Sequence, residues 1–342
     1  MRVGTFVLAA QFPGQGQGEV LHRAVRSAEL AESAGLDAVW LAEHHFVPYG
    51  VCPSAVTLAA FLLGRTSTIG VGTAVSVLPT AHPVALGEQA ALLHIASGGR
   101  FTLGVGRGGP WVDLEVFGAG LEAFEHGFPE SLDLLTRWLR EPRVGADGPR
   151  YSFREVPVVP RADELDEPGP PVIVACTSPT SVRLAAERGL PMLLGMHCGD
   201  EEKAGMVELW QRTARAAGLA PEVVAAAGAE HVSAGVVQIA DSRADAVEAL
   251  VKAMPGWLQR GLAAHQTVDG SARPMRNPLS YTELLCDLHP VGTARICADR
   301  LAATSERTGI TRFALLVEGS GDLAVTEDNV MRLGGDVLPQ LA

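Results

Sequence analysis

The segment Val39-Trp40-Leu41-Ala42-Glu43-His44-His45-Phe46 sets two imidazoles and a carboxylate directly after a short apolar run. Imidazole is the side chain that titrates nearest neutrality, so this spacing offers a general base or a hydrogen-bond donor. His44 and His45 are both candidates. The plainer role for either ring is to bond a backbone carbonyl at the end of a strand. A second group of interest is Arg107, set among glycines in Gly104-Val105-Gly106-Arg107-Gly108-Gly109. A guanidinium can grip a phosphate with two parallel hydrogen bonds, and glycines let backbone approach a ligand closely. The same residues fit G-x-G-x-x-G, but Pro110 and Trp111 follow at once. No helix is expected to open directly on the third glycine, so a dinucleotide-binding turn is rejected. Thr177, Ser178 and Ser181 form a third group, hydroxyls around the start of an expected helix. They suit an anion at a helix N-terminus, and Ser178 equally suits an ordinary N-cap.

These groups need elements to hold them. Apolar, β-branched runs predict strands at residues 3–8, 37–41, 68–75, 101–105, 171–176, 191–194, 231–239 and 312–317. Helical spacing predicts helices between them, among them 18–34, 54–63, 83–95, 121–139, 181–188, 201–217 and 243–262, with a capped helix after Thr293 and a last one over 325–338. Strands alternating with helices about eight times predict a (β/α)₈ TIM barrel, read as one domain over residues 1–342. Two insertions interrupt the rhythm. Residues 143–166 read as a hairpin with an acidic loop, and 264–290 as a weakly periodic stretch that could serve as a lid. In such a barrel, groups at the C-terminal ends of strands gather at one mouth, and His44, Arg107 and Thr177 all follow strands.

The chain has 342 residues, is 47% hydrophobic and carries a formal net charge of −12. That composition gives a large core and disfavours nucleic acid and anionic membrane as partners. Any anion site must therefore be built locally. The five cysteines show no metal-ligand spacing, so no metal is expected, and their scatter fits a reducing cytoplasm. No apolar stretch spans a bilayer, and the start of the chain reads as a strand rather than a signal peptide.

With the strands placed, four segments resemble the bacterial luciferase-like flavin-dependent monooxygenases, closest to the catalytic subunit of the light-emitting enzyme. They are the segment around His44, Val77-Leu78-Pro79-Thr80-Ala81-His82-Pro83-Val84, Ala186-Glu187-Arg188-Gly189-Leu190-Pro191-Met192, and Pro290-Val291-Gly292-Thr293. The resemblance implies reduced FMN supplied by a separate flavin reductase, O₂ adding at the flavin C4a carbon as a hydroperoxide, and one oxygen atom passed to a small organic substrate. Secondary-metabolite (antibiotic) biosynthesis is the expected setting. It implies that His44 is catalytic, that Arg107 holds the flavin phosphate with Thr177, Ser178 and Ser181, and that a cis peptide at Ala74-Val75 supports the ring. It also implies a homodimer, through the almost wholly apolar helix 54–63. Two alternatives stay open: hydride transfer with the deazaflavin F420, and flavin binding without catalysis.

Departures from the relatives matter too. Gly106 stands where they carry a reactive cysteine, which is expected to open space. Thr177 replaces a glutamate and Glu125 an arginine, so Glu125 is expected to lose its phosphate contact or turn away. These changes put light emission and an aldehyde substrate in doubt. Asp113 matches a family acid, with surface solvation as its plainer role, and His82 is expected to be structural.

Overall fold

A computed structural model describes residues 1–161, 169–264, 266–270 and 276–341. Eight parallel strands close on themselves: β1 (Arg2–Val7), β2 (Ala38–Leu41), β3 (Gly70–Thr73), β4 (Phe101–Gly106), β5 (Val172–Cys176), β6 (Met192–Leu194), β7 (Val232–Val236) and β8 (Arg312–Leu316). Neighbours in sequence are neighbours in the ring. β8 returns to β1 with Arg312 opposite Arg2, and β3 pairs with β4 through Val71 and Phe101. The expected (β/α)₈ barrel is therefore the fold. Strands buried on both faces need apolar residues at every position, which is why they were legible as runs. In β8, Phe313 and Leu315 face the helical shell, while Ala314 and Leu316 join Phe6, Trp40 and Val236 inside the barrel.

The ring is irregular where β3 ends. The Ala74-Val75 peptide is cis, and Ser76–Val77 then resumes pairing beside Val105 and Gly106. The Thr73 hydroxyl bridges the break. It accepts from the Gly104 amide at 2.9 Å and donates to the Gly104 carbonyl at 2.6 Å.

Other differences have local causes. The expected helix 121–139 is divided into Gly120–Glu122, a π-helical turn at Ala123–Gly127, and Phe128–Arg140. Pro129 has no N–H to return to the Glu125 carbonyl, so the α-helical ladder cannot run through. Residues Pro278–Leu288 form a helix inside the stretch read as weakly periodic, opened by Asn277, whose side chain accepts from the Ser280 amide. Helix Pro221–Ala229 was not expected either. A six-residue helix, Trp111–Val116, begins two residues beyond Gly109, so the glycine-rich turn does lead into a helix, though a short one on a barrel and not a dinucleotide fold. Arg143–Asp147 and Ser152–Pro157 pair as an antiparallel hairpin. The acidic end of the first insertion, and residues 265 and 271–275 of the second, lie outside the described residues.

A buried ion pair closes the seam between β1 and β8. Glu318 accepts from the amides of Leu8 at 2.7 Å and Ala10 at 3.3 Å, and its other oxygen meets Arg23 Nε at 3.4 Å. Arg23 also donates to the carbonyls of Gly321 and Ala10 and to Gln15 Oε1. Both charged side chains are 1% exposed. Removing one member of such a pair strands the other charge in the interior. Arg23→Met is expected to cost about 3–5 kcal/mol in urea unfolding, and Arg23→Met/Glu318→Leu distinctly less than the sum of the two single changes. Additive losses would show that the two charges are independent.

Candidate active site

Because all eight strands run the same way, the residues after β2, β3, β4 and β5 meet at one end of the barrel. Val75, Arg107, Thr177, Ser178 and Ser181 line a single cleft of about 450 Å³ between the end of β4 and the start of helix Pro179–Glu187. Ala74 lies beside it on the inner surface of the barrel mouth. His44 is not part of the cleft wall. It follows β2, on the other side of the β3 end, so Ala74 and Val75 stand between it and Arg107 in the ring.

Each group is held by its surroundings. Arg107 lays its guanidinium over the Phe124 ring, 3.8 Å from the centroid, a contact that suits a cation. Phe124 comes from the π-helical turn, and so does Glu125, which lines the same cleft. Glu125 thus stays at the cleft as a residue, with its carboxylate 3.7 Å from the exposed His126. Ser178 and Ser181 form a capping box. Ser178 Oγ accepts from the Ser181 amide, and Ser181 Oγ accepts from the amides of Thr177 and Ser178. The ordinary N-cap role is thus filled. Thr180 and Arg183 also line the cleft and were missed, because nothing in their local spacing sets them apart from a solvated helix face.

The missing thiol at Gly106 does not open space. A Cβ there would lie 2.6 Å from Val75 Cγ2, so the valine side chain already occupies the position. Val75 and Gly106 line the same cleft.

His44 is clamped from two sides. Its ring meets Tyr49 edge to face at 5.1 Å, and a Cβ on Gly50 would come within 2.9 Å of its Nδ1. Its amide donates to the Cys52 carbonyl. Tyr49 stacks on Trp257 at 4.4 Å, and Trp257 Nε1 donates to the Tyr49 carbonyl at 2.8 Å. Burial pushes the Tyr49 phenol above its ordinary pKa. His45 takes the structural role, buried with its Nε2 3.4 Å from Glu43 Oε1. His82 is structural as well, its Nδ1 accepting from the Val84 amide at the start of helix Pro83–Ala96.

Glu43 was passed over in the sequence, and the structure gives it three tasks. One oxygen accepts from the Val77 amide at 3.0 Å and meets His45; the other accepts from the Ala55 amide at 3.1 Å. Asp113 is not solvated. It is 5% exposed in helix Trp111–Val116, and burial pushes its carboxyl up to about 6, with His45 acting the other way and Glu43 adding to the rise. Among the described residues there is no group of three or more metal-ligating side chains, and no helix is long and apolar enough to cross a membrane.

A family model for luciferase-like monooxygenases matches residues 1–312, and the chain belongs to that family. It is 28% identical to an alkanal monooxygenase alpha chain of Photorhabdus luminescens over 358 aligned positions, covering 100% of this chain and 97% of the relative. Its fold is shared with the oxygenating constituent of 3,6-diketocamphane monooxygenase of Pseudomonas putida, solved in complex with FMN, at a TM-score of 0.79 and 21% identity, covering 100% and 99% of the two chains. It is also shared with an F420-dependent secondary alcohol dehydrogenase solved with an F420–acetone adduct, at a TM-score of 0.76 and 18% identity, again covering 100% and 99%. Membership makes the protein an oxidoreductase.

The raised Asp113 carboxyl has a consequence for stability. An unfolded aspartate titrates near 3.9, so between about pH 4 and pH 6 the native state holds more protons than the unfolded one. Stability should therefore fall as pH rises through that window. Asp113→Asn should flatten the fall, by roughly 2–4 °C in Tm between pH 4 and pH 7. Thermal scans of both proteins across this range measure it, and parallel curves would show that Asp113 titrates normally.

Proposed function

We propose that the protein takes reduced FMN from a separate flavin reductase and uses O₂ to place one oxygen atom in a small organic substrate. The observation that carries this reading is the cleft in which Arg107 and the Thr177–Ser181 hydroxyl cluster share one wall system with Val75, one strand away from His44. The residues suit the cofactor. A guanidinium, hydroxyls and a helix start fit a terminal phosphate, and the narrow inner mouth at Ala74 and Val75 fits a flat ring. Reduced flavin supplies the electrons that activate O₂ when it is bound.

The chain's own residues do the rest. Arg107, Thr177, Ser178 and Ser181 hold the phosphate end and so fix the ring's place along the cleft. Ala74 and Val75 support the ring from the barrel side. His44, held by Tyr49 and Gly50, keeps or moves a proton at its imidazole between the ring and the substrate. The apolar side chains around Tyr49, Met196 and Tyr281 exclude water from the mouth. The substrate belongs to secondary metabolism in this reading, and the enzyme works in the cytoplasm. It works as a homodimer that covers Phe61 and Leu92, 52% and 57% exposed on adjacent helices.

An anaerobic complex with FMNH₂, mixed with aerated buffer in a stopped-flow instrument, tests the reading. A long-lived species spectrally distinct from oxidised FMN is expected. Reoxidation as fast as that of free FMNH₂ would count against the reading, and reduction of F420 by an alcohol without any oxygenated product would transfer the protein to the hydride-transfer branch represented by the alcohol dehydrogenase. His44→Ala should lower the oxygenation rate about 10²–10⁴-fold while FMN affinity changes little. Full turnover in that variant would remove the imidazole from the chemistry.

A further inference from the structure

We infer that Arg183 is the second phosphate-binding cation of this cleft, acting beside Arg107. The inference rests on the proposed flavin site and assigns it a residue that the family pattern does not supply.

The charge layout of the cleft carries it. Glu125 lines the cleft beside Arg107. A phosphate entering beside Arg107 would meet like charge there. Across the cleft, on helix Pro179–Glu187, stands Arg183, five residues after Ser178. Its neighbours give it every chance of an ion pair. Glu187 lies one turn further along the same helix and also lines the cleft, and Glu125 shares the space. Yet Glu187 pairs with Arg188 and Glu125 lies against His126. Among the described residues no hydrogen bond or ion pair involves the Arg183 side chain. The neighbouring Arg188, by contrast, is tied to Asp133 by two hydrogen bonds and donates to the Leu184 carbonyl.

The capping box adds a second reason. The amides of Thr177, Ser178 and Ser181 are already met by local hydroxyls, so this helix start has fewer free donors than an open one. An anion here depends more on guanidinium groups. Arg107 is stacked on Phe124, and Arg183 lines the cleft from helix Pro179–Glu187, so in this reading the two take different oxygens of one phosphate. Glu125 then weakens phosphate binding and leaves the site tuned below what two arginines alone would give.

Binding of oxidised FMN and of riboflavin, followed by flavin fluorescence quenching, separates the phosphate from the ring without any turnover. Arg183→Ala should weaken FMN roughly tenfold and leave riboflavin within twofold, as should Arg107→Ala. Arg183→Lys should recover part of the loss, and Glu125→Gln should tighten FMN severalfold with no effect on riboflavin. The wild-type preference for FMN should fall with added salt, and fall less steeply in Arg183→Ala. An FMN-to-riboflavin ratio unchanged in Arg183→Ala, while Arg107→Ala lowers it, would overturn the assignment and leave the proposed function standing. A wild-type protein that binds neither flavin would overturn both. Position 183 is exposed, so the variants should fold, and the opposite sign expected for Glu125→Gln tests the same claim without altering Arg183.

Discussion

The mouth of the barrel depends on one carboxylate. Glu43 leaves the end of β2 and ties down three separate pieces of chain: the start of helix Ala55–Leu63, the Val77 amide beyond the cis peptide, and the His45 ring. A helix N-terminus carries unsatisfied N–H groups and partial positive charge, so a carboxylate there is favourable. The strand after the cis bond has an amide to satisfy as well. One residue answers both, and so it ties the end of β2 to the chain beyond β3. His44 follows Glu43 directly, and Val75 stands two residues before Val77. The placement of His44 relative to Val75 thus rests on the ladder between β2 and β3, where the Ala74 amide donates to the Leu41 carbonyl, and on the Glu43 tether beyond it.

The aromatic support of His44 runs back to the barrel seam. Tyr49 backs the imidazole, Trp257 backs Tyr49, and Phe12 stacks on Trp257 at 5.5 Å. Arg23 lies over Phe12 and is one half of the buried pair that joins β1 to β8. A contiguous set of packed rings thus links the candidate catalytic residue to the closure of the ring. Close-packed interiors resist small displacements, so a site built this way holds its geometry without needing many hydrogen bonds of its own.

The strands could be read from the sequence because each is buried on both faces and bounded by turn residues, as in Val39-Trp40-Leu41 and Phe313-Ala314-Leu315-Leu316. Helix Pro221–Ala229 escaped notice because its alanine-rich sequence has little amphipathic contrast, and Pro278–Leu288 because proline and asparagine precede it. In the site, Arg107, Thr177, Ser178 and Ser181 were visible through residue type and position after a strand, and they do share a cleft. Burial was not visible. Glu43 and Asp113 look like surface acids in a linear reading, and only packing against His45 and the neighbouring helices takes them out of water. The space expected at Gly106 failed for a similar reason. The residue that fills it, Val75, is distant along the chain and is brought there by the irregular end of β3.

The net charge of the chain gives the cleft its character. A protein at −12 presents a repulsive field to a phosphate, and at physiological salt that field is screened over about 8 Å. Beyond that range the site gains nothing from the rest of the molecule, so attraction must come from groups lining the cleft itself. Those groups are two arginines set against two glutamates, with hydroxyls and a helix start between them. Such a balance holds an anion by geometry more than by excess charge: the guanidiniums offer planar, directed donors, and a ligand that cannot match them meets the carboxylates. In the proposed reading, a cleft of this kind separates a molecule with a terminal phosphate from one without it.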